Sequence, residues 1–220
     1  MKRLLKTCFK PLAALLMSAL ALSSAVAQPK DSGRDEELDN LSFVEMLRSV
    51  ELGKNADLIR KFQEKEGKGR LLNGRNVPKE GWGVESYRNK EVLLITIPAS
   101  RLFAPNDTLL KPSASEYLAP IRRYLRDPDM YRVLLVMHTD NTGSETYRDN
   151  LTVKRVESVF DWFEDHGDDT RYLFDYAMSD EIPLHPNNSI ENRAANRRLE
   201  IYLVPGKKML EQAKRGRIVF

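Results

Sequence analysis

Cysteine is nearly absent from this sequence, since the 220 residues contain one, Cys8. A disulfide framework is therefore excluded, and the hydrophobic core must stabilise the fold alone. A lipoprotein also needs its cysteine at the end of the apolar part of its export signal, whereas Cys8 precedes the apolar run at 12–22. We therefore expect no lipid anchor.

Long apolar runs are also scarce, because no segment after residue 27 approaches the roughly 20 apolar residues that a membrane-spanning helix needs. The first 27 residues have the parts of an export signal instead: four basic residues, an apolar run over 12–22 and a small-x-small cleavage site at 25–27. A transmembrane anchor is the alternative, but the run is too short for one. We predict a signal peptide over 1–27 and a soluble periplasmic protein that starts near Gln28, with association to the outer membrane through a partner left open.

Neither sign of charge is in large excess. The formal net charge of the chain is +3, and loss of the signal peptide, with its four basic and no acidic residues, changes it to −1. A protein with so little net charge does not steer polyanions towards itself. We therefore expect no nucleic acid partner.

Four segments have the length and pattern of β-strands: 92–97, 133–137, 172–176 and 199–203. Helical spacing of apolar residues lies between them, and Gly167 is expected to end the longest helix. Two capping boxes predict helix starts, Ser113 with Glu116 and Thr142 with Glu145, while Pro120 marks a kink or a later start. This alternation predicts an α/β (α+β) fold, a two-layer sandwich with an about four-stranded mixed sheet and helices packed on one face.

The remainder of the chain divides into an N-terminal extension and a C-terminal tail. Residues 28–85 comprise an acidic leader, an amphipathic helical segment with apolar residues between 41 and 62, and a glycine-rich linker. The helical segment either packs on the domain or docks a membrane partner. We place the folded domain at 86–206. For the basic tail at 207–220 we expect a solvated surface segment, with a short helix over 207–217 as the alternative.

The most informative stretch is HTDNTGSETYRDNLTVKR at 138–155. Asp140 comes just after a buried strand, and Arg155 follows fifteen residues later on the predicted helix. A carboxylate and a guanidinium held near each other suit a ligand that carries both an amine and a carboxylate. Taken singly, Asp140 is equally typical of a turn that bonds its own backbone, and Arg155 of a helix surface.

This stretch resembles the peptidoglycan-binding domain found at the C-terminus of OmpA, in peptidoglycan-associated lipoprotein and in MotB. The resemblance covers about 91–204, and its matching residues are Phe103, His138-Thr139-Asp140, Gly143-Ser144, Tyr147, Leu151-Thr152, Arg155 and Asn196-Arg197-Arg198-Leu199-Glu200-Ile201. It implies that Asp140 and Arg155 hold the side chain of meso-diaminopimelate in the peptidoglycan stem peptide. Thr139, Phe103 and Arg148 complete the ligand-binding set that we predict.

The chain departs from the family pattern at several positions. Met137 replaces a glycine and Arg148 replaces an asparagine, while Thr152 and Val156 are mild changes. Arg148 lies seven residues before Arg155 and so shares its helix face. It is either a third ligand anchor or the partner of Glu145 in an ion pair. For Arg197 and Arg198 we expect structural ion pairs, with ligand contact as the alternative.

The sequence carries no recognised catalytic or metal-binding motif. It has no G-x-S-x-G, no H-E-x-x-H and no Walker A segment, and its three histidines are scattered. His138, Asp140 and Ser144 are close in sequence, but neighbouring strand positions alternate faces and so do not make a relay.

The predicted function is therefore non-catalytic binding of peptidoglycan that anchors or organises the cell envelope, with no cofactor and no metal. The alternative is a periplasmic adaptor that links the wall to an outer-membrane or envelope protein complex through its N-terminal segment.

Overall fold

The computed structural model describes residues 6–7, 36–48 and 52–220. The apolar run and cleavage site of the predicted signal peptide, and most of the acidic leader, lie outside the described residues. Among the described residues, no helix is long and apolar enough to span a membrane.

The strands form one mixed sheet in the order β1-β5-β4-β6-β3-β2. Its strands are β1 (Lys6–Thr7), β2 (Gly83–Tyr87), β3 (Val92–Pro98), β4 (Tyr131–Met137), β5 (Leu173–Ala177) and β6 (Arg198–Pro205). β4 and β5 are parallel, whereas β6 is antiparallel to both β4 and β3. A parallel neighbour requires a long crossover connection, and the longest helix supplies it between β4 and β5. The predicted α/β mixed-sheet fold is confirmed.

The helices among the described residues are mostly short. They are α1 (Glu36–Asp39), α2 (Phe43–Arg48), α3 (Ala56–Phe62), α4 (Gly69–Asn73), α5 (Ala99–Leu102), α6 (Ser115–Leu118), α7 (Arg122–Leu125), α8 (Glu145–Asp165), α9 (Ile190–Asn196) and α10 (Lys207–Lys214). Single 3-10 turns lie at Gly53–Asn55, Pro112–Ala114 and Ala119–Ile121, and a π-helical turn at Gln63–Lys68 joins α3 to α4.

One edge strand occupies a segment that the sequence placed in the glycine-rich linker and the start of the domain. β2 pairs with β3 through a tight turn in which Arg88, Asn89 and Lys90 all have positive φ. Of the β2 residues, Val84 alone is buried. A strand with so few apolar residues has no alternating pattern to detect. At the other edge, β1 pairs with β5. β1 lies within the segment predicted as a signal peptide, and the signal peptide stays a prediction.

Both faces of the sheet are covered, which differs from the helices on one face that we expected. The first face packs on α8, α3, α10 and the α6–α7 region. The second face packs on α1 and α2, where Phe43 contacts Tyr176 and Tyr202 at ring centroid distances of 5.7 Å and 5.1 Å. The N-terminal helical segment thus buries its apolar side chains against the domain, which favours packing over partner docking.

Both predicted capping boxes were wrong. The N-cap of α8 is Ser144, whose hydroxyl accepts from the Tyr147 N–H at 3.2 Å, and not Thr142. The other box is absent because Pro112 opens a 3-10 turn before α6. Pro120 then opens a second turn that separates α6 from α7, which matches the later start considered for it. Gly167 ends α8 with a φ of +72°.

The C-terminal tail is not a solvated segment. α10 buries Met209 and Ala213 in the first-face core. The last residue, Phe220, stacks on Tyr124 at 5.6 Å and meets Tyr131 edge-on at 5.2 Å. The short helix considered for this tail is present, and its few apolar positions are spaced so that they share one face.

Candidate ligand-binding site

The predicted site lies where β4 ends and α8 begins. Antiparallel pairing of β4 with β6 places Met137 opposite Leu199, so the residues after β4 face the residues before β6. The loop before α6, which carries Phe103 to Asp107, reaches the same place through contacts with α8. Three chain segments that are distant in sequence therefore meet at the carboxyl end of β4.

Asp140 is buried and has two partners. Its Oδ1 accepts from the backbone N–H of Thr142 at 2.8 Å, which is the turn that its position also predicted. Its Oδ2 forms an ion pair with Nη1 of Arg197. Burial alone raises the pKa of Asp140, but the hydrogen bonds at Thr142 and the Arg197 charge outweigh burial and hold the pKa below its ordinary value. Asp140 is therefore ionised.

Arg155 is buried as well, and its guanidinium is held from three sides. Nε donates to the Asp107 carbonyl at 2.8 Å, and Nη2 donates to the Ala104 carbonyl at 3.3 Å. The ring of Phe103 lies beneath it, 4.9 Å from Cζ to the ring centroid. No carboxylate pairs with Arg155 in the part of the chain that the structure describes. Two of the five N–H donors of the guanidinium are thus used by loop carbonyls. The other three N–H donors remain for a ligand.

Arg197 was left out of the predicted site, but the structure places it beside Asp140. The sequence correctly favoured an ion pair for this arginine, but its partner is Asp140 itself. Burial lowers the pKa of Arg155, and the positive charge of Arg197 lowers it further. The carboxylates of Asp140 and Asp107 lie near these two guanidinium groups, so the site presents charges of both signs, which suits a zwitterionic ligand.

The other predicted residues have supporting positions. Phe103 is buried under Arg155, so it orients that guanidinium. Thr139 is buried, and its backbone N–H donates to the Ser179 carbonyl at 2.8 Å, which fixes the loop after β4.

Arg148 forms an ion pair, but Glu145 is the wrong partner. Its Nε donates to Asp180 Oδ1 at 2.9 Å, and its Nη1 donates to the Gly143 carbonyl at 2.7 Å. Asp180 follows β5, which lies beside β4 in the sheet. The ion pair therefore joins two residues that are 32 positions apart in sequence. Arg148 thereby ties the start of α8 to the loop after β5.

A buried polar cluster lies next to the site, on the second face of the sheet. Glu200 accepts from Tyr202 Oη at 2.7 Å and from Arg198 Nε at 2.7 Å, and His138 Nε2 lies 3.1 Å from it. Burial alone raises the pKa of Glu200, but the bonds from His138 and Tyr202 and the Arg198 charge lower it to about 2. Burial lowers the pKa of His138. Arg198 thus has the structural role that we expected.

The geometry gives no support to a catalytic relay. His138 faces Glu200, while the Ser144 hydroxyl caps α8. Within the described residues, no group of three or more histidine, cysteine, aspartate or glutamate side chains is arranged to hold a metal ion.

The fold and the site together define a mixed-sheet α/β domain with a charged binding site beyond the end of one central strand. Residues 102–197 match the model of the OmpA family. The chain therefore contains an OmpA-like domain, and the resemblance seen in its motifs is confirmed.

Two curated relatives show how far the similarity extends. Outer membrane protein A of Bordetella avium is 28% identical over 114 residues, which are 52% of this chain and 59% of that protein. The outer-membrane lipoprotein YfiB of Pseudomonas aeruginosa is 34% identical over 104 residues, 47% of this chain and 61% of that protein. The chain thus spans about three fifths of the length of these relatives.

Two solved structures share the fold. A MotB-like protein from Desulfovibrio vulgaris has a TM-score of 0.59 at 24% identity, covering 69% of this chain and 98% of that one. The periplasmic domain of MotB from Helicobacter pylori has a TM-score of 0.51 at 21% identity, covering 62% and 89%.

Proposed function

We propose that this protein binds cell-wall peptidoglycan without catalysis, through the diaminopimelate of the stem peptide, and so anchors or organises the cell envelope. The observation that carries the proposal is the convergence of Asp140, Arg155 and Arg197 at the end of β4, inside the part of the chain that matches the OmpA family. Relatives named as an outer membrane protein and an outer-membrane lipoprotein support an envelope location.

The side chain of meso-diaminopimelate ends in an ammonium and a carboxylate on one carbon. The ammonium donates to Asp140, since each carboxylate oxygen has a second lone pair beyond the one used by Thr142 or Arg197. The ligand carboxylate takes the free donors of Arg155, which form a planar fork. Both ligand charges must be paired, because an unpaired charge in a partly dry site is costly.

Arg197 has a different part in this proposal. Its side chain is 40% exposed, against 4% for that of Asp140, so Arg197 is free to move when the ammonium arrives. The ligand ammonium replaces or shares the Arg197 guanidinium at Asp140. The carboxylate of Asp140 thus has a cationic partner with and without ligand, and its charge is never left unpaired.

Binding to isolated sacculi tests the proposal. Asp140→Asn preserves the shape of the side chain and the acceptor for Thr142 but removes the charge. A charged hydrogen bond contributes about 1.5–3 kcal/mol, so the apparent Kd for diaminopimelate-type sacculi should rise roughly 10- to 150-fold. The matched control is Asp149→Asn, an exposed carboxylate on α8. Equal recovery of wild type and Asp140→Asn on sacculi would contradict the proposal.

A further inference from the structure

A second charged surface lies at the opposite end of the sheet from the ligand-binding site. β6 begins beside that site, and α10 follows directly after β6 ends at Pro205. The start of β4 lies at the same end, because Tyr131 pairs with Pro205. With a rise of about 3.3 Å per residue, the seven residues of β4 separate the two ends by about 20 Å.

The exposed face of α10 and of the chain after it is cationic. We define the basic surface as the exposed residues Lys207, Lys214, Arg215 and Arg217 together with Lys54 and Lys61, which are exposed on the turn and the helix that lie against α10. Within the described residues, none of these six forms an ion pair with a carboxylate. Glu211 is the exposed carboxylate of α10, so the six cations leave this surface with an excess of positive charge.

A groove deepens this surface at the start of α10. Its volume is about 400 Å³, and its lining residues are Asp129, Lys207, Lys208, Glu211, Gln212 and Arg215. Lys208 is engaged by Asp127, and the carboxylates of Asp129 and Glu211 line the groove beside Lys207 and Arg215. The groove itself therefore carries charges of both signs, and the excess of positive charge lies on the exposed residues around it.

An apolar residue is held among these cations. Val219 is 58% exposed, and its backbone N–H donates to Gln212 Oε1 at 2.7 Å. The neighbouring Phe220 is fixed by its aromatic contacts with Tyr124 and Tyr131. The segment after α10 is therefore held with Val219 exposed to solvent, two residues beyond Arg217 in sequence. Apolar side chains flanked by Lys and Arg are typical of surfaces that contact a membrane interface.

We propose that the basic surface binds an anionic phospholipid membrane. Its six Lys and Arg residues fall within the range of basic clusters that bind acidic lipids. No aromatic side chain is among them to stack on bases, which argues against single-stranded nucleic acid. The acidic residues at the end of α8 share this end of the molecule, but α8 packs on β4 and β5, whereas α10 follows β6 and lies against α3.

Co-sedimentation with vesicles tests this surface. The probes are vesicles of phosphatidylcholine alone and of equimolar phosphatidylcholine and phosphatidylglycerol. The protein should partition onto the anionic vesicles only, and less strongly as salt is added. Each basic residue near an anionic surface contributes about fivefold, so the triple variant Lys214→Gln, Arg215→Gln, Arg217→Gln should bind these vesicles roughly 100-fold less well.

The matched control carries the same number of neutralised cations elsewhere, namely Arg75→Gln, Lys79→Gln and Lys154→Gln, all at exposed positions. It should bind the anionic vesicles within about threefold of wild type. Sacculus binding and thermal unfolding of the α10 variant should match wild type, which separates this proposal from wall binding. Equal partition onto neutral and anionic vesicles, or equal losses in the two triple variants, would overturn it.

Discussion

At the scale of single residues, the site depends on how the charge of Arg155 is held. The guanidinium lies on Phe103 and donates to two loop carbonyls, so its remaining donors are fixed in direction before a ligand arrives. Such preorganisation reduces the ordering that binding would otherwise require. Because Arg155 is buried, its removal would also leave two carbonyls without donors and weaken the fold.

The variant Arg155→Lys separates charge from shape. Lysine keeps the positive charge but lacks the planar fork, so the Kd for meso-diaminopimelate should rise by roughly tenfold or more. Calorimetric titration measures this change, and Lys154→Arg at the exposed neighbouring position serves as the control. An unchanged Kd for Arg155→Lys would show that charge alone is sufficient.

The ion pair of Asp140 with Arg197 has a measurable signature of its own. Arg197→Gln removes a charge that lowers the pKa of Asp140, so this pKa should rise. NMR titration of the Asp140 carboxyl carbon measures this pKa directly. Arg193→Gln is the control, because Arg193 donates to the Asn187 carbonyl and not to Asp140. If the pKa of Asp140 is the same in both variants, the pair does not form in solution.

The sequence predicted part of this site and missed the rest for physical reasons. Asp140 and Arg155 follow from one continuous strand-turn-helix segment, whose geometry is local. Arg197 precedes β6, and Asp180, the partner of Arg148, follows β5. Both strands lie beside β4 in the sheet, which places these residues at the site. Nothing in a single sequence says which strand lies beside β4, so these partners could not be assigned.

Among the elements, α2 shows what apolar spacing can and cannot predict. Its apolar spacing was visible in the sequence, but the spacing is the same whether a helix packs on its own domain or on a partner. The structure places Phe43 between Tyr176 and Tyr202. β2 was missed for the opposite reason, because its few apolar residues make too weak a pattern. For α10 a helix was considered, but its basic composition did not show that Met209 and Ala213 are buried.

Removal of the Phe43 ring tests this packing. Truncation of a buried phenylalanine costs about 3–5 kcal/mol, so Phe43→Ala should lower the free energy of unfolding by about that amount. Urea unfolding measures it, with Val44→Ala as the control at an exposed position, where changes stay within about 0.5 kcal/mol. Equal stability of the two variants would mean that α2 is undocked, which would restore the adaptor hypothesis.

The buried cluster between β4 and β6 makes a pH-dependent contribution to stability. The pKa of Glu200 is lowered from 4.5 to about 2 on folding, so its contribution is present above about pH 4.5 and is lost as the pH falls towards 2. The lowered pKa of His138 acts in the same direction, beginning at its ordinary value of 6.5. Unfolding followed from neutral to acid pH should therefore show falling stability, and Glu200→Gln should flatten this dependence at its acid end. An equally steep profile in Glu200→Gln would show that the cluster is not its source.

At the scale of the whole molecule, the two charged surfaces lie at opposite ends of one sheet. The site at the carboxyl end of β4 carries the proposed wall contact, and the basic surface around α10 carries the proposed membrane contact. The mixed sheet, which is covered on both faces, separates the two by about 20 Å. The net charge of the chain revealed neither, because opposite charges elsewhere cancel in the sum.

Calorimetric titration of the protein with a stem peptide that contains meso-diaminopimelate and, in parallel, with the same peptide containing lysine tests the proposed ligand most directly. In the lysine peptide the backbone amino and carboxyl groups are in peptide bonds and the side chain has no carboxylate, so Arg155 is left without a partner. We expect the diaminopimelate peptide to bind at least about tenfold more tightly than the lysine peptide, since one charged hydrogen bond contributes about 1.5 kcal/mol or more. Equal affinity for the two peptides would contradict the proposal.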